Sequence, residues 1–277
     1  VTNELTSFNS DGFTTNNNAG MNENNRPYVA WNWKAGTAFT NDASATGIGS
    51  IDSSGSVNTD AGFSITGFTG DGNTGATIAH GLGVKPDMII LKMRSVGDTS
   101  WGIYHQAIGA TKYLRLNVSG ASVTSNTRWN NVEPTSTVFT LGSSGDVNQN
   151  NATIIAYCFA EKKGFSKFGS YTGNGSSDGT FIYTGFSPAF MMVKSTSSSG
   201  QWFMFDNKRE GYNPENDRLI ADVGDAEADP GQTDFLSNGF KMRFTSGNAN
   251  GSGVSYIYMA FAENPFVTST GIPSPAR

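Results

Sequence analysis

Cysteine is almost missing from this 277-residue chain. The one thiol, Cys158, leaves no intrachain disulfide to form, so stability cannot come from that source. Histidine is nearly as scarce, and His80 and His105 both lie far from Cys158 in sequence. A nucleophilic thiol wants a partner imidazole, so Cys158 reads as a small, buried strand residue instead. Charge is sparse as well: 15 % of residues are charged, the net charge is −5 and the pI is near 5.0. That balance argues against a broad phosphate-binding surface, which needs clustered Lys and Arg. No apolar run reaches the ~18 residues that span a bilayer, and no signal-peptide pattern is visible. Neither nucleic acid nor membrane is therefore expected as a partner.

Helical periodicity is the last absence, and what stands in its place is β-chemistry. Glycine contributes 34 residues and aromatics 12 %, amid abundant Asn, Ser and Thr, a turn-rich and strand-rich composition. One pattern recurs three times: Y-V-A-W-N-W-K-A at residues 28–35, I-I-A-Y-C-F-A-E at 154–161 and Y-I-Y-M-A-F-A-E at 256–263. Aligned, Val29/Ile155/Ile257, Trp31/Tyr157/Met259 and Trp33/Phe159/Phe261 form bulky columns with period two, as on one face of a strand. We expect these columns to face each module's own core. Upstream of each copy a second signal recurs, its phenylalanine being Phe13, Phe139 or Phe240. It leads the strand by 15, 15 and 16 residues across a polar linker. The pairing predicts that each repeat closes in a hairpin.

This periodicity divides the chain. Residues 1–36 carry only the closing signals, an orphan hairpin from a truncated repeat whose Trp31 and Trp33 require burial against a module or a neighbouring chain. Because the chain begins with Val and in mid-repeat, we expect a processed product or a portion of something longer. Residues 37–60 are small, polar and Gly/Ser-rich, and read as a linker. Residues 61–163 and 164–268 are expected to be two tandem β-sandwich modules, jelly-roll-like, with an extended tail over 269–277. In both modules T-G-(D/N)-G, at 69–72 and 172–175, reads as turn chemistry, not a phosphate loop, since no helix-forming pattern follows. Met88 to Leu91 and Phe190 to Val193 are continuous apolar runs, entered through Pro86 and Pro188, and read as central strands covered on both faces. Lys92 aligns with Lys194, Trp101 with Trp202 and His105 with Asp206. The unlike polar groups in the last column suggest a surface position.

No catalytic, cofactor-binding or metal-ligating residue is assigned. Residues 225–234, with four carboxylates, could hold calcium but read better as a solvated loop. Residues 146–150 open like an EF-hand yet lack its glycine, and Tyr157 stands where the bidentate Glu belongs. Glycoside hydrolysis needs two carboxylates about 5 to 10 Å apart across a cleft. Of Asp98, Glu133, Glu161, Asp206 and Glu263, only Glu161 and Glu263 share a column, on different modules. Trp129 suits glycan contact, but burial is the default for such a ring.

The series H-G-L-G-V-x-P-D-M-I-I-x-K from His80, W-x-x-Y-H from Trp101, T-K-Y-L-x-L-N from Thr111, F-G-S-Y-T-G-N-G from Phe168 and Y-M-A-F-A-E-x-P-F from Tyr258 resembles a module of tailed-bacteriophage structural proteins, often labelled tail or tail-fibre proteins. The resemblance covers essentially the whole chain and implies a non-enzymatic virion component. In that family modules follow one another in long chains. The resemblance carries no catalytic residue to these positions. The expected role is a tail fibre or tail-associated adhesin, with a capsid decoration protein, a carbohydrate-binding module or glycan-degrading enzyme, and a self-associating bacterial surface protein as alternatives. Expected partners are copies of the chain itself in an oligomer such as a trimer, other virion proteins and a host surface glycan.

Overall fold

Alternating bulky residues and frequent turn signals produce an almost entirely β structure, with helix confined to single turns. The computed structural model describes residues 4–16, 19–210, 212–214, 217–228, 233–264, 266–267 and 273–274. The chain falls into two compact units, Val1–Trp33 and Lys34–Arg277.

In the first unit, strands β1 (Leu5–Phe8) and β2 (Phe13–Thr15) pair antiparallel with Phe8 opposite Phe13, and one turn of helix, α1 (Ala19–Asn22), follows. The expected pairing of the Phe13 signal with residues 28–35 does not form. Phe13 pairs with Phe8 instead, and residues 28–35 carry no strand. The corresponding segments of the full modules explain this, because each is a central strand held by two neighbours.

The second unit contains both modules. The first comprises β3 (Thr37–Asn41), α2 (Ala43–Thr46), β4 (Ser53–Asn58), β5 (Phe63–Thr69), β6 (Thr77–Ala79), β7 (Met88–Met93), β8 (Gly102–His105), β9 (Lys112–Arg115), β10 (Val123–Thr124), α3 (Asn126–Trp129), β11 (Val138–Thr140), α4 (Gly145–Asn148) and β12 (Thr153–Phe159). Its large antiparallel sheet runs β10-β9-β8-β7-β12-β5-β4-β3, and β11 pairs with β6 in a small second sheet. The second module comprises β13 (Ser166–Thr172), β14 (Phe181–Tyr183), β15 (Pro188–Ser195), β16 (Phe203–Asp206), β17 (Leu219–Ile220), β18 (Thr233–Leu236), β19 (Gly239–Met242) and β20 (Ser255–Ala262). Here the sheets run β13-β20-β15-β16-β17 and β14-β19-β18. A final pair, β21 (Phe266–Val267) with β22 (Pro273–Ser274), takes in two residues of the expected tail; its other residues lie outside those described.

The topology is duplicated: β12 lies between β5 and β7 as β20 lies between β13 and β15. The apolar runs are central strands, as their composition requires. Three readings change. Residues 37–60 are not a linker, because β3 and β4 extend the large sheet beyond β5. Their hydroxyl-rich sequence suits a sheet edge, and Gly55 is demanded by close approach: a Cβ there would sit 1.8 Å from the Ile65 carbonyl oxygen. The Phe139 and Phe240 signals do not form hairpins with the closing strands. They lie in the opposite sheet, and the intervening residues carry the chain across each sandwich. Third, the bulky columns do not face the module cores. Core positions on the closing strands are Ile154, Ala156 and Cys158 in the first module and Tyr256, Tyr258 and Ala260 in the second. Ile155, Tyr157, Phe159 and their equivalents point from the outer face.

Those outer faces meet. Phe159 lies 6.0 Å from Phe168 and 6.1 Å from Phe261 between ring centroids, and Phe63 stacks on Phe159 at 4.8 Å. Met88 and His105 of the first module line a closed crevice with Met192, Trp202, Ile257 and Met259 of the second. Polar bonds frame the contact. Gln106 Nε2 donates to the Phe168 carbonyl at 3.0 Å, Trp202 Nε1 to the Arg115 carbonyl at 2.9 Å, and Ser122 Oγ to the Thr196 carbonyl at 2.9 Å. Lys194 is wholly buried, its ammonium donating to the carbonyls of Ser119, Gly120 and Ser195 at 3.2, 2.8 and 2.9 Å. Burial pushes its pKa down to about 8, with Asp222 opposing the shift. A desolvated cation persists here because all three of its protons have acceptors.

Candidate functional site

A concavity with polar lining is built from the strands at the edge of the first module. A cleft of about 560 Å³ opens where β3 and β4 turn into each other beside the ends of β5, β7 and β12. Asp42 makes its wall rigid. Its carboxylate caps α2 by accepting from the Ala45 amide at 3.0 Å and the Ser44 hydroxyl at 2.7 Å, and Gly47, at φ +69°, ends that turn in the left-handed region. Asp52 accepts from the Ala43 amide at 2.8 Å, and buried Asn41 ties the loop closed by donating to the Ile48 carbonyl at 2.8 Å. The hydroxyl and amide bonds to Asp42, Ser44 first, hold its carboxyl below the usual range, so it stands as an anion. Arg94, which is exposed and whose amide donates to the Thr153 carbonyl, lines the cleft with Thr153, Gly67, Phe68 and Thr69. Hydroxyls, one amide, two carboxylates and one guanidinium thus surround an open, polar volume. That set can exchange several hydrogen bonds with a polyhydroxylated molecule. A second concavity of about 240 Å³ shares Thr40 and Asn41 and is lined by Phe39, Ile48 and Ala79.

The carboxylates weighed for hydrolysis are placed elsewhere. Glu133 pairs with Lys85 at 2.8 Å and accepts from the Tyr104 hydroxyl and the Ala110 amide; although burial opposes it, these bonds hold its carboxyl low. Glu161 pairs with Lys167 at 2.7 Å, Asp206 with Arg209 at 2.8 Å and Glu263 with Lys208 at 3.5 Å. Asp98 sits exposed in a turn at φ +55°. None of the five lines the cleft.

His105, expected at the surface, is instead fully buried between the modules. Its Nε2 donates to the Tyr258 carbonyl at 3.2 Å while Nδ1 accepts from the Ala107 amide at 3.2 Å. Its counterpart Asp206 is also buried, compensated by Arg209, so unlike residues fill one column because each found a different partner. Burial pushes the pKa of both His80 and His105 down to about 4, and that of Cys158 up to about 12. Cys158 is thus a core thiol at neutral pH, as its position in the strand suggests. Trp129 is buried too, edge-to-face with Tyr104 at 5.9 Å.

Within residues 225–234, Glu227 meets Arg209 at 2.5 Å and Asp234 meets Arg243 at 2.5 Å, while residues 229–232 lie outside those described. Among the described residues no group of three or more His, Cys, Asp or Glu could hold a metal ion. Residues 146–150 serve the fold: Asn148 Oδ1 accepts from the Asp71 amide and its Nδ2 donates to the Asn73 carbonyl, fixing the T-G-D-G turn. Asn250 does the same for T-G-N-G, accepting from the Asn174 amide and donating to the Ser176 carbonyl. In each turn the glycines do different work. Gly70 and Gly173 admit a carbonyl oxygen 2.4 Å from where a Cβ would lie, and Gly72 and Gly175 take φ of +74° and +69°.

Among curated proteins and among solved structures, none matches the chain. Residues 1–265 match the family described as a domain of unknown function, DUF7483, and the chain belongs to that family.

Proposed function

We propose that this chain is a non-enzymatic structural protein of a tailed-bacteriophage virion, acting as a tail fibre or tail-associated adhesin. The reading rests on the resemblance of its serial motifs. It is supported by one structural observation: two copies of one sandwich are joined by a largely apolar interface with a buried lysine, a construction suited to a stiff element assembled from repeats. Its chemistry is contact. Sheets supply shape, and loops such as those around the cleft meet other surfaces. The test is mass spectrometry of density-purified phage particles from a lysate encoding the chain, with gold-labelled antibody to position it. Its peptides should appear with capsid and portal proteins and the label should fall on the tail. Label on the head supports a decoration protein, and particles without its peptides overturn the proposal.

The polar cleft favours a second reading, in which the same element binds a host-surface glycan. A glycan array read with the native chain and with Arg94→Ala tests it. Glycan-specific signal that falls with Arg94→Ala supports the reading, and signal from neither protein refutes it.

A further inference from the structure

The interface between the modules is made from unlike patches, and each module carries both. On the receiving side, Ile257, Met259, Met192 and Trp202 of the second module are 2 %, 3 %, 5 % and 1 % exposed beneath the first. Their equivalents on the first module, by strand register, are Ile155, Tyr157, Ile90 and Trp101, and all four are only half-buried. On the inserting side, Ile103 and Leu114 of the first module are 0 % and 1 % exposed. Their equivalents on the second module, Met204 and Leu219, are again half-buried. The polar frame is duplicated as well. Lys92 lies 5.8 Å from the centre of the Trp101 ring as Lys194 lies 6.0 Å from that of Trp202. Asn117 accepts from the Trp101 amide as Asp222 accepts from that of Trp202. In the first module the loop after β9 delivers carbonyls to Lys194, and in the second the loop after β17, with Val223 39 % exposed, has the same place.

We infer that a second copy of this chain continues the pattern: the inserting patch of one copy's second module, around Met204 and Leu219, docks on the receiving patch of another copy's first module, around Ile90 and Tyr157. The contact is head-to-tail, since the two patches differ. Such contacts extend into an open chain or close into a ring according to the rotation between copies. Apolar side chains left half in water at both patches favour the union for the same reason that they favour the contact within the chain. This inference names the partner in the assembly proposed above and rests on that reading. Particle composition and chain–chain contact are read by different experiments, so either can fail alone.

The test is light scattering and sedimentation of the purified full chain over a concentration series, with Tyr157→Lys on the receiving patch and Leu219→Lys on the inserting patch. Native chain should gain mass with concentration, and each variant alone should remain monomeric with an unchanged far-ultraviolet spectrum. Mixed in equal amounts, the two variants should form a one-to-one dimer and nothing larger, because one intact patch of each kind remains. That complementation cannot arise from misfolding. A native chain that stays monomeric to its solubility limit overturns the inference, as does a mixture that fails to pair or association that survives both substitutions.

Discussion

Acid should loosen this protein before its carboxylates titrate, and the two histidines set the scale. Each imidazole is fully buried and uses both nitrogens: Nε2–H donates to a carbonyl, of Thr135 for His80 and Tyr258 for His105. Nδ1 accepts from an amide, of Leu82 or Ala107. A second proton would set N–H against N–H inside the protein, in addition to the cost of desolvating a cation. With folded values of about 4 against 6.5 in the unfolded chain, the unfolded state binds more protons between those limits. Stability therefore falls as pH drops through 6.5 and levels off below 4. At pH 5 the loss is about 2 kcal/mol per histidine and about 4 kcal/mol for the pair. Urea denaturation followed by tryptophan fluorescence at pH 7 and pH 5 measures it, and a His80→Gln/His105→Gln variant should lose most of the dependence. Since the chain has two histidines, a proton–carbon correlation spectrum assigns each midpoint. Midpoints at or above 6, or equal urea midpoints at the two pH values, would refute the argument.

Three other outcomes follow from the packing. Asn250→Ala removes five bonds, including Nδ2 donation to the Phe244 carbonyl at 2.8 Å, and should cost roughly 3 kcal/mol in denaturant unfolding; a loss under ~1 kcal/mol would show that the turn does not depend on it. Phe159→Ala and Phe261→Ala should each cost ~3 to 5 kcal/mol. Their double-mutant cycle should show coupling of ~0.5 to 1.5 kcal/mol, since the rings meet at 6.1 Å across the modules; additive losses would contradict that contact. Trp129→Phe should cost about 1 to 2 kcal/mol in thermal unfolding, from the void the smaller ring leaves, with no added loss from the indole N–H, which has no acceptor among the described residues. A loss above ~3 kcal/mol would contradict that reasoning.

Much of the fold was legible because repetition exposes strand register: the two copies that form strands show which residues share a face. What they could not reveal is which face is inside. Ile154, Ala156 and Cys158 alternate with Ile155, Tyr157 and Phe159, and when both sides of a sheet are covered, period two marks neither as the core. The larger side chains proved to be the ones between modules. β3 and β4 were hidden for another reason, since edge strands made of Ser, Thr and Gly look like a linker until a neighbour pairs with them. The cleft inherited that concealment, its walls coming from residues 40–54 and from single positions near 68, 94 and 153. His105 and Asp206 looked solvent-facing because buried polar groups declare themselves only through partners distant in sequence. Asn148 and Asn250 carried a usable signal, equal placement before the closing strand of each repeat, but the turn they hold lies 76 or 77 residues away.

Register also fixes where the chain enters and leaves each sandwich. Thr37, Val57, Ser64 and Cys158 lie in one row across the first large sheet, so β3 begins where β12 ends, and Ser166 faces Phe261 where the second module begins and finishes. Tension along the backbone therefore pulls on strand ends at one end of each sheet, and in the second module, where β13 and β20 are neighbours, it should open their pairing one rung at a time, like a zip. The aromatic rings of Phe63, Phe159, Phe168 and Phe261 gather at that same end. Such a cluster would serve as a clasp, and the expectation is that resistance to pulling lies in the joint between the sandwiches more than along their strands.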